Sequence, residues 1–557
     1  MEYLKFDTLS CMNCHSCLRN CPVRAIKFVN NKPQIVSDMC ILCGHCVTNC
    51  PKNCKKVISH TEAVKELFEK YPNKVALSVA PSFIANFECK TFASFKEACQ
   101  RLGFSLVEET ARGAYYVTKE YEKLLKSGDY PVLITSACPS AVTYLCSEFP
   151  DAIKYLAPVV SPMIAHARIL KKEHGDDLKV VFVGPCIAKK KEADDSKEID
   201  YALTFEELLE LFNESNIEFK DIDDEEGYNP ARYYPINRGV FKTLGINGRE
   251  NYDSIAIDGP ETIKETLQNI EHMDHLFFEM NMCTGACING PIRTSTHASI
   301  RANDIVRKYA KKSSSQSVVE DLPFDIDLSC EYKPIESKRK IPSEEDIRKI
   351  LNRIFINNKE EEINCGACGY SSCREKAIAV FNDMADPTFC MPYLKNKAES
   401  LSNEIIQHTP NGIITINKEG ILVDCNERAF EYLQLDTSVI GEFYQNHIDL
   451  PELLIAVEEE RNIDSVIVYN EKSNMYFDVS ITMVKEHQLA FAIYKDVTQE
   501  TLQDEKMRQL RQEMVEVTDK VITKQMAAVQ EIASLLGEST AEAKVALVNF
   551  RNTLKDK

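Results

Sequence analysis

The sequence predicts a multidomain protein that joins α+β modules to an α/β domain, and three observations carry that reading. Eight cysteines near the start fall in two runs of identical spacing. Between residues 72 and 302, short apolar runs alternate with helical stretches, the pattern of buried strands in an α/β sheet. Residues 400–500 carry several runs of alternating apolar and polar residues, the pattern of a half-buried antiparallel sheet. At 557 residues the chain exceeds what one core can organise, so about three to five domains are expected.

The first module covers residues 1–57. Its cysteines read C-x-x-C-x-x-C-x-x-x-C-P twice: Cys11, Cys14, Cys17, Cys21-Pro22, then Cys40, Cys43, Cys46, Cys50-Pro51. A cube of iron and sulfide presents four iron corners, and x-x gaps let a tight turn offer thiolates to three of them. Zinc knuckles and disulfides are the alternatives. Zinc has no need of the repeated terminal Cys-Pro, and a chain without a secretory signal keeps its thiols reduced. The double run resembles the two-cluster bacterial ferredoxins, in which the fourth cysteine of each run serves the other cluster. The resemblance implies one 4Fe-4S cluster on Cys11, Cys14, Cys17 and Cys50, and another on Cys40, Cys43, Cys46 and Cys21. The module holds eight Lys/Arg against Glu2, Asp7 and Asp38. Two four-thiolate clusters cancel most of that excess, and what remains suits an acidic electron carrier.

The second domain, residues 72–302, has buried strands at Lys74–Val79, Pro131–Thr135 and Leu178–Val183, with helices including Thr118–Lys126 and Met163–Lys172. Three of its loops follow strands and carry cysteines. They are Thr135-Ser136-Ala137-Cys138-Pro139, Gly184-Pro185-Cys186-Ile187-Ala188-Lys189, and Glu279-Met280-Asn281-Met282-Cys283-Thr284-Gly285-Ala286-Cys287. Loops at the ends of adjacent strands converge on one crevice, so four cysteines could bind one cluster.

These three loops resemble the signature sequences of the iron-only hydrogenases, over roughly residues 1–300. That family carries an active-site H-cluster, a 4Fe-4S cubane joined to a di-iron unit with carbonyl, cyanide and a bridging dithiolate. The resemblance implies that Cys138, Cys186, Cys283 and Cys287 hold the cubane and that Cys287 bridges to the di-iron unit. It also implies that Lys189 donates a hydrogen bond to a cyanide; a buried ammonium suits such an anion. Four departures stand out. Ala137 replaces the first of two adjacent cysteines, the family's proton donor. Gly184 and Asn281 stand where methionines are usual, and the chain has no tryptophan. Glu120 and Glu122 lie upstream, where the family places an acidic relay. Positioned proton transfer supplies about 10²–10⁴-fold in rate, so a site without that thiol is expected to turn over slowly.

A polar stretch, Lys311–Ser317, reads as a loop. The third module, residues 341–393, opens on a helix with Ser343 as N-cap and Ile347, Ile350, Leu351 and Ile354 on one face. It continues into Cys365, Cys368, Cys373 and Cys390. This group resembles the small four-cysteine domain of corrinoid iron–sulfur proteins, which implies a further 4Fe-4S cluster; zinc is the alternative. Residues 400–500 offer strands at Gly412–Asn417, Ile421–Asp424, Ser465–Tyr469 and Tyr476–Val484. The segments His408–Ile416 and Asp424–Phe430 resemble a PAS domain. Residues 501–557 read as helical, with Met507, Leu510, Met514, Val517 and Val521 at the 3–4 spacing of a dimer stalk. Gly537 is the expected stop, and Ser539-x-x-Glu542 the expected cap of a last helix. Cys54, Cys89, Cys99, Cys146, Cys330 and Cys425 lack ligand spacing and read as ordinary thiols. His408, His447 and His487 read as structural or exposed rather than as haem ligands.

Net charge of −19 argues against a nucleic-acid partner, and no apolar run reaches membrane-spanning length. Met1-Glu2-Tyr3-Leu4-Lys5 does not read as a signal peptide, so a cytoplasmic location is expected. The expected function is a sensory hydrogenase that oxidises hydrogen or reduces protons slowly and relays electrons through its clusters to the PAS module. The expected partners are ferredoxin or another redox carrier, hydrogenase maturation proteins, a downstream signalling protein and a second copy of the chain. The alternatives are a ferredoxin-linked hydrogenase tuned by its PAS domain, and a non-catalytic iron–sulfur scaffold lacking the di-iron unit.

Overall fold

The computed structural model describes residues 3–7, 9–29, 32–223, 229–245, 252–312, 322–336, 339–484, 488–536 and 541–555. The chain divides into two units, Met1–Tyr393 and Leu394–Lys557.

The first unit begins with four short strands, β1 (Leu4–Phe6), β2 (Ile26–Val29), β3 (Lys32–Ile35) and β4 (Lys55–Val57), paired antiparallel as β1–β4 and β2–β3. Each cysteine run passes through a one-turn helix, Ser16–Arg19 or His45–Thr48. The entry residue is left-handed in both, His15 at φ 57° and Gly44 at φ 76°. That reversal lets consecutive cysteines face one centre.

Seven parallel strands follow: β5 (Val75–Val79), β6 (Leu106–Glu109), β7 (Val132–Ile134), β8 (Lys179–Gly184), β9 (Tyr201–Thr204), β10 (Asp253–Asp258) and β11 (Leu276–Asn281). They form two sheets, β6-β5-β8-β9 and β10-β11-β7, every pairing parallel. Every residue of β5 and β7 is buried, Ser78 of β5 being the one polar residue among them. The cysteine loops therefore leave two sheets rather than neighbouring strands of one. Helices Ala111–Ser127 and Pro162–His174 pack against each other beside β5.

Helix Ser299–Lys312 runs through the expected boundary at Ala302 and takes in Lys311 and Lys312, which the sequence suggested as loop. Its Ala302, Val306, Tyr309 and Ala310 are buried, an apolar stripe spaced at three and four residues that the surrounding charges obscure. The expected loop residues Ser313–Ser317 lie outside the described residues. Beyond them the chain packs back on the domain: Leu328 is buried and the Tyr332 hydroxyl donates to the Val159 carbonyl at 2.8 Å. Helix Glu344–Asn352 starts at the expected cap, where Ser343 Oγ accepts from the Asp346 amide at 3.2 Å and Asp346 reaches back to the Ser343 amide at 3.3 Å. Residues 1–57, 72–302 and 341–393 thus build a single unit.

The second unit holds β12 (Gly412–Asn417), β13 (Leu422–Cys425), β14 (Ile463–Asn470), β15 (Met475–Val484) and β16 (Leu489–Asp496), an antiparallel sheet in the order β13-β12-β16-β15-β14. Ile414, Ile416, Phe477, Val479 and Ile481 fill its inner face, with helices Glu427–Leu433 and Pro451–Glu458 contributing to the same core. The sequence reading lacks β16, because its inward residues include Ala490 and Ala492, too small to mark an apolar face. Helix Thr498–Leu536 follows, and its Met507, Leu510, Met514, Val517 and Val521 are all exposed. Gly537 and Ser539 lie outside the described residues.

Asn426 fastens this unit. Its Oδ1 accepts from the Ile413 and Ala429 amides at 2.7 and 2.9 Å, and its Nδ2 donates to the Ile406 and Asn411 carbonyls at 2.8 and 2.9 Å. Asn426→Ala is predicted to cost about 2 kcal/mol locally, since it removes a helix cap and strands buried main-chain groups. Hydrogen exchange should accelerate in β12 and β13 and stay unchanged in β5.

Candidate active site

Parallel strands present all their carboxyl ends in one direction, and here four such ends meet around one cavity. Ala80-Pro81-Ser82 follows β5, Thr135 to Cys138 follows β7, Pro185-Cys186 follows β8, and Glu279, Asn281, Cys283 and Cys287 come from β11 and its loop. Thr110, Pro162, Met163, Phe182, Lys189 and Tyr234 complete the wall, with Cys43 of the first module. The enclosed space is about 110 Å³. Cys138 sits at the N-terminus of helix Pro139–Glu148. Gly285 at φ 81° and Ala286 at φ 67° turn the last loop so that Cys283 and Cys287 both line the cavity.

Burial, and then the neighbouring thiols, hold three of the cavity's thiols protonated. Burial and the charge of Cys138 push Cys186 up to about 11. Burial, with Cys186, Cys138 and Cys287 beside it, raises Cys283 well above the usual thiol range, and Cys287 is raised for the same reasons. Four such thiols ionise together only around a cation, and soft sulfur donors select iron–sulfur clusters or zinc. The donor set therefore fits a metal cluster. Lys189 eases ionisation at Cys186 and Cys287. It is 9% exposed, and its Nζ donates to Ser161 Oγ at 3.0 Å and Glu192 Oε2 at 2.6 Å.

Ala137 is on the cavity wall and offers only a methyl group. Asn281 Oδ1 accepts from Cys287 Sγ at 3.8 Å. At Gly184 a Cβ would lie 2.8 Å from the Phe182 ring, which occupies that room and lines the cavity. Glu120 and Glu122 do not line the cavity. They pair with Lys123 at 2.7 Å and Lys126 at 2.8 Å on an amphipathic helix.

Sequence reasoning missed Glu279. It is 1% exposed at the end of β11 and lines the cavity. Its carboxylate accepts from the Gly239 and Val240 amides at 3.2 and 2.9 Å, yet burial wins and its pKa is pushed up to about 7. An acid interrupting the apolar run Leu276–Met280 was the available signal.

Three further cysteine sets occupy the same unit. Cys43 is raised by burial and by Cys21, Cys46 and Cys40, so these four are neighbours. Gly44 packs against the third active-site loop so closely that a Cβ there would fall 2.2 Å from Pro291 Cβ. Cys11, Cys14, Cys17 and Cys50 line another pocket, together with Cys54. Burial opposes ionisation of Cys50, but the Cys54 and Lys52 amides and the Lys55 ammonium bring it down to about 7. Cys54, read as an ordinary thiol, stands against this set and is raised to about 11 by burial and Cys50. Cys368, Cys373 and Cys390 surround the buried Lys376 ammonium, which donates to the Asp386 and Phe389 carbonyls at 2.8 and 2.6 Å. Cys365 is exposed.

The last set is pinned to the first module. The His15 ring stacks between Phe28 and Phe389, at 3.9 and 4.2 Å. Arg24 donates to the Leu18 carbonyl at 2.9 Å and to Ser371 Oγ at 2.8 Å. Cys89, Cys99, Cys146 and Cys425 are buried, and burial raises each thiol; Cys330 is half-buried. His408 pairs with Glu404 at 3.0 Å and His447 with Glu442 at 2.6 Å; His487 lies outside the described residues.

Comparison with known proteins agrees with this arrangement. Residues 73–245 match the family described as iron-only hydrogenase large subunit, C-terminal domain. Residues 3–51 match a 4Fe-4S dicluster domain, and residues 361–392 match an Fe-S cluster family. These matches support the iron-only hydrogenase family. The chain is 24% identical to iron hydrogenase 1 of Clostridium pasteurianum over 52% of its own length and 64% of that protein. It is 25% identical to the periplasmic Fe hydrogenase large subunit of Nitratidesulfovibrio vulgaris, over 49% of this chain and 76% of that one. A solved FeFe-hydrogenase variant from Chlamydomonas reinhardtii aligns with a TM-score of 0.37 at 19% identity, covering 46% of this chain and 89% of that chain. Among the described residues no helix is long and apolar enough to cross a membrane.

Glu279 provides a test of the cavity's polarity. Its carboxyl infrared band is predicted to titrate near pH 7, with the protonated band present below and lost above. Glu279→Gln should remove that transition and leave the other carboxyl bands in place.

Proposed function

We propose that the protein is a sensory iron-only hydrogenase of low turnover. The observation that carries the proposal is a complete four-thiol cavity with Lys189 on its wall and Ala137 where a proton-donating thiol belongs. Cys138, Cys186, Cys283 and Cys287 would hold the cubane of the H-cluster, and Cys287 would also bridge to its di-iron unit. When bound, that group supplies the centre at which hydrogen is cleaved or formed. The chain's residues do the rest. Lys189 has a third N–H for a cyanide, while Phe182, Pro162 and Met163 keep water away. Glu279 holds or releases a proton near neutrality.

Electrons would leave by the clusters on Cys40, Cys43, Cys46 and Cys21, then on Cys11, Cys14, Cys17 and Cys50, and then on Cys365, Cys368, Cys373 and Cys390. The contact of Cys43 with the cavity and the stacking of His15 on Phe389 support that order. The β13-β12-β16-β15-β14 order supports a PAS module. The exposed stripe Met507–Val521 supports a stalk covered by a second copy of the chain, since a rotation there would repack every core contact. Ferredoxin or another carrier, maturation proteins and a downstream signalling protein are the proposed partners, in the cytoplasm.

Ala137 also favours a second reading, a non-catalytic scaffold without the di-iron unit. Lys189 and the intact Cys283–Cys287 pair weigh against it. A ferredoxin-linked enzyme tuned by its PAS module would share the chemistry and differ in purpose. Infrared spectra of anaerobically matured protein separate these readings. Carbonyl and cyanide bands are expected, with iron for three 4Fe-4S clusters and a six-iron site; iron for the ferredoxin clusters alone would remove the hydrogenase reading. Ala137→Cys is predicted to raise hydrogen turnover by about 10²-fold. Hydrogen exchange across Met507–Val521 should differ between hydrogen-reduced and oxidised protein, and identical exchange would favour the enzyme reading.

A further inference from the structure

We infer that Thr110, Ser78, His166 and Glu108 form a proton wire from the active-site cavity to solvent, in place of the route that Ala137 interrupts. The inference rests on the hydrogenase reading of the cavity. Thr110 is on the cavity wall. Its Oγ1 lies 2.7 Å from Ser78 Oγ, Ser78 Oγ lies 2.8 Å from His166 Nδ1, and His166 Nε2 lies 3.3 Å from Glu108 Oε2. Ser78 and His166 are fully buried and Thr110 nearly so. The Glu108 side chain is 25% exposed and meets the partly exposed Arg112 at 3.2 Å. The chain of contacts is unbroken from cavity to surface.

A serine in the centre of a wholly buried strand and a histidine with no exposed surface are costly unless both are satisfied, and each satisfies the other here. Two other hydroxyl contacts, one from Tyr234 on the wall and one from Ser136 next to the wall residues Thr135 and Ala137, end inside the protein. Tyr234 meets Thr118 at 2.7 Å, and Thr118 bonds the Ala114 carbonyl. Ser136, bonded by Tyr121, donates to the Val159 carbonyl at 2.6 Å. A main-chain carbonyl accepts a hydrogen bond and passes no proton onward.

The direction of each bond follows from Glu108. Against burial, His166 and Arg112 hold its carboxyl down at about 2, so it is ionised and can only accept. His166 Nε2 therefore donates; with the imidazole neutral, Nδ1 accepts from the Ser78 hydroxyl, whose oxygen accepts from Thr110. Thr110 thus turns a lone pair to the cavity. The resting wire is set to take a proton out, as hydrogen oxidation demands. Hydrogen gives two protons and two electrons, and the electrons pass through the cysteine-held clusters to an external oxidant. For each proton, an O–H bond forms at Thr110 as its own proton shifts to Ser78. The Ser78 proton moves to Nδ1, and the Nε2 proton moves to Glu108, which releases it to water. Rotation of the hydroxyls and return of the imidazole to the Nε2–H tautomer reset the wire. Run backwards, the same shifts deliver protons inward.

The test uses matured full-length protein with an oxidised viologen as acceptor. Ser78→Ala and Thr110→Val each remove one hydroxyl with little change of shape, and Ser78→Thr and Thr110→Ser restore it. The alanine and valine variants should lower hydrogen oxidation by about tenfold or more and change its solvent deuterium isotope effect. Carbonyl and cyanide bands should stay intact, and Ser78→Thr should regain the rate. Hydrogen-induced infrared difference spectra should contain a Glu108 carboxyl signal that Glu108→Gln and Ser78→Ala both lose. Wild-type rate, isotope effect and carboxyl signal in Ser78→Ala and Thr110→Val, with those bands present, would overturn the wire alone. Absence of carbonyl and cyanide bands in the unsubstituted protein would instead overturn the hydrogenase reading, and the wire with it.

Discussion

Four thiols buried in one cavity cannot all surrender their protons without a cation to share, and the first unit is organised around that constraint. The cost of gathering them shows in three of them: burial and the neighbouring thiols raise the ionisation threshold of Cys186, Cys283 and Cys287. Parallel strands with aligned ends bring segments far apart in sequence to one point, and two all-parallel sheets meet there. The surrounding positive charge is sparse and placed for use. Lys189 faces the cavity, and Lys376 stands among Cys368, Cys373 and Cys390. Both lysines are buried with their ammonium groups hydrogen-bonded, Lys189 to Ser161 and Glu192 and Lys376 to the Asp386 and Phe389 carbonyls.

Much of this was legible in the chain because spacing is a local property. The double C-x-x-C-x-x-C run, the Ser343 cap and the apolar runs of β5, β7 and β8 are each specified within a few residues. What the sequence withheld was long-range. Nothing near Cys54 announces that folding sets it against Cys50, and nothing near Ser78 announces His166, 88 positions away. Two sheets rather than one is likewise a matter of which strand finds which partner. The boundary at Ala302 failed for a different reason: the charged surface of helix Ser299–Lys312 conceals a narrow apolar face.

The proton side of the site is more diffuse than the metal side. Sulfur ligands tolerate little displacement, whereas a proton can travel along any chain of groups that both accept and donate. Replacing one thiol by Ala137 therefore need not silence the cavity. In the proposed wire the task passes to residues whose hydrogen bonds already exist for packing, Ser78 and His166 among them.

The contact between Gly44 and Pro291 has a consequence for electrical conduction. Tunnelling between metal centres decays exponentially with the gap, so the thickness of protein at the narrowest point governs the current. Glycine, with no Cβ, lets the Cys43 turn press directly on the third active-site loop, where any larger residue would meet proline carbon at 2.2 Å. A single methyl group at that position would act as a spacer in a circuit. Relieving that clash would part the Cys43 turn from the Pro291 segment and dim conduction between the clusters proposed for the two sites.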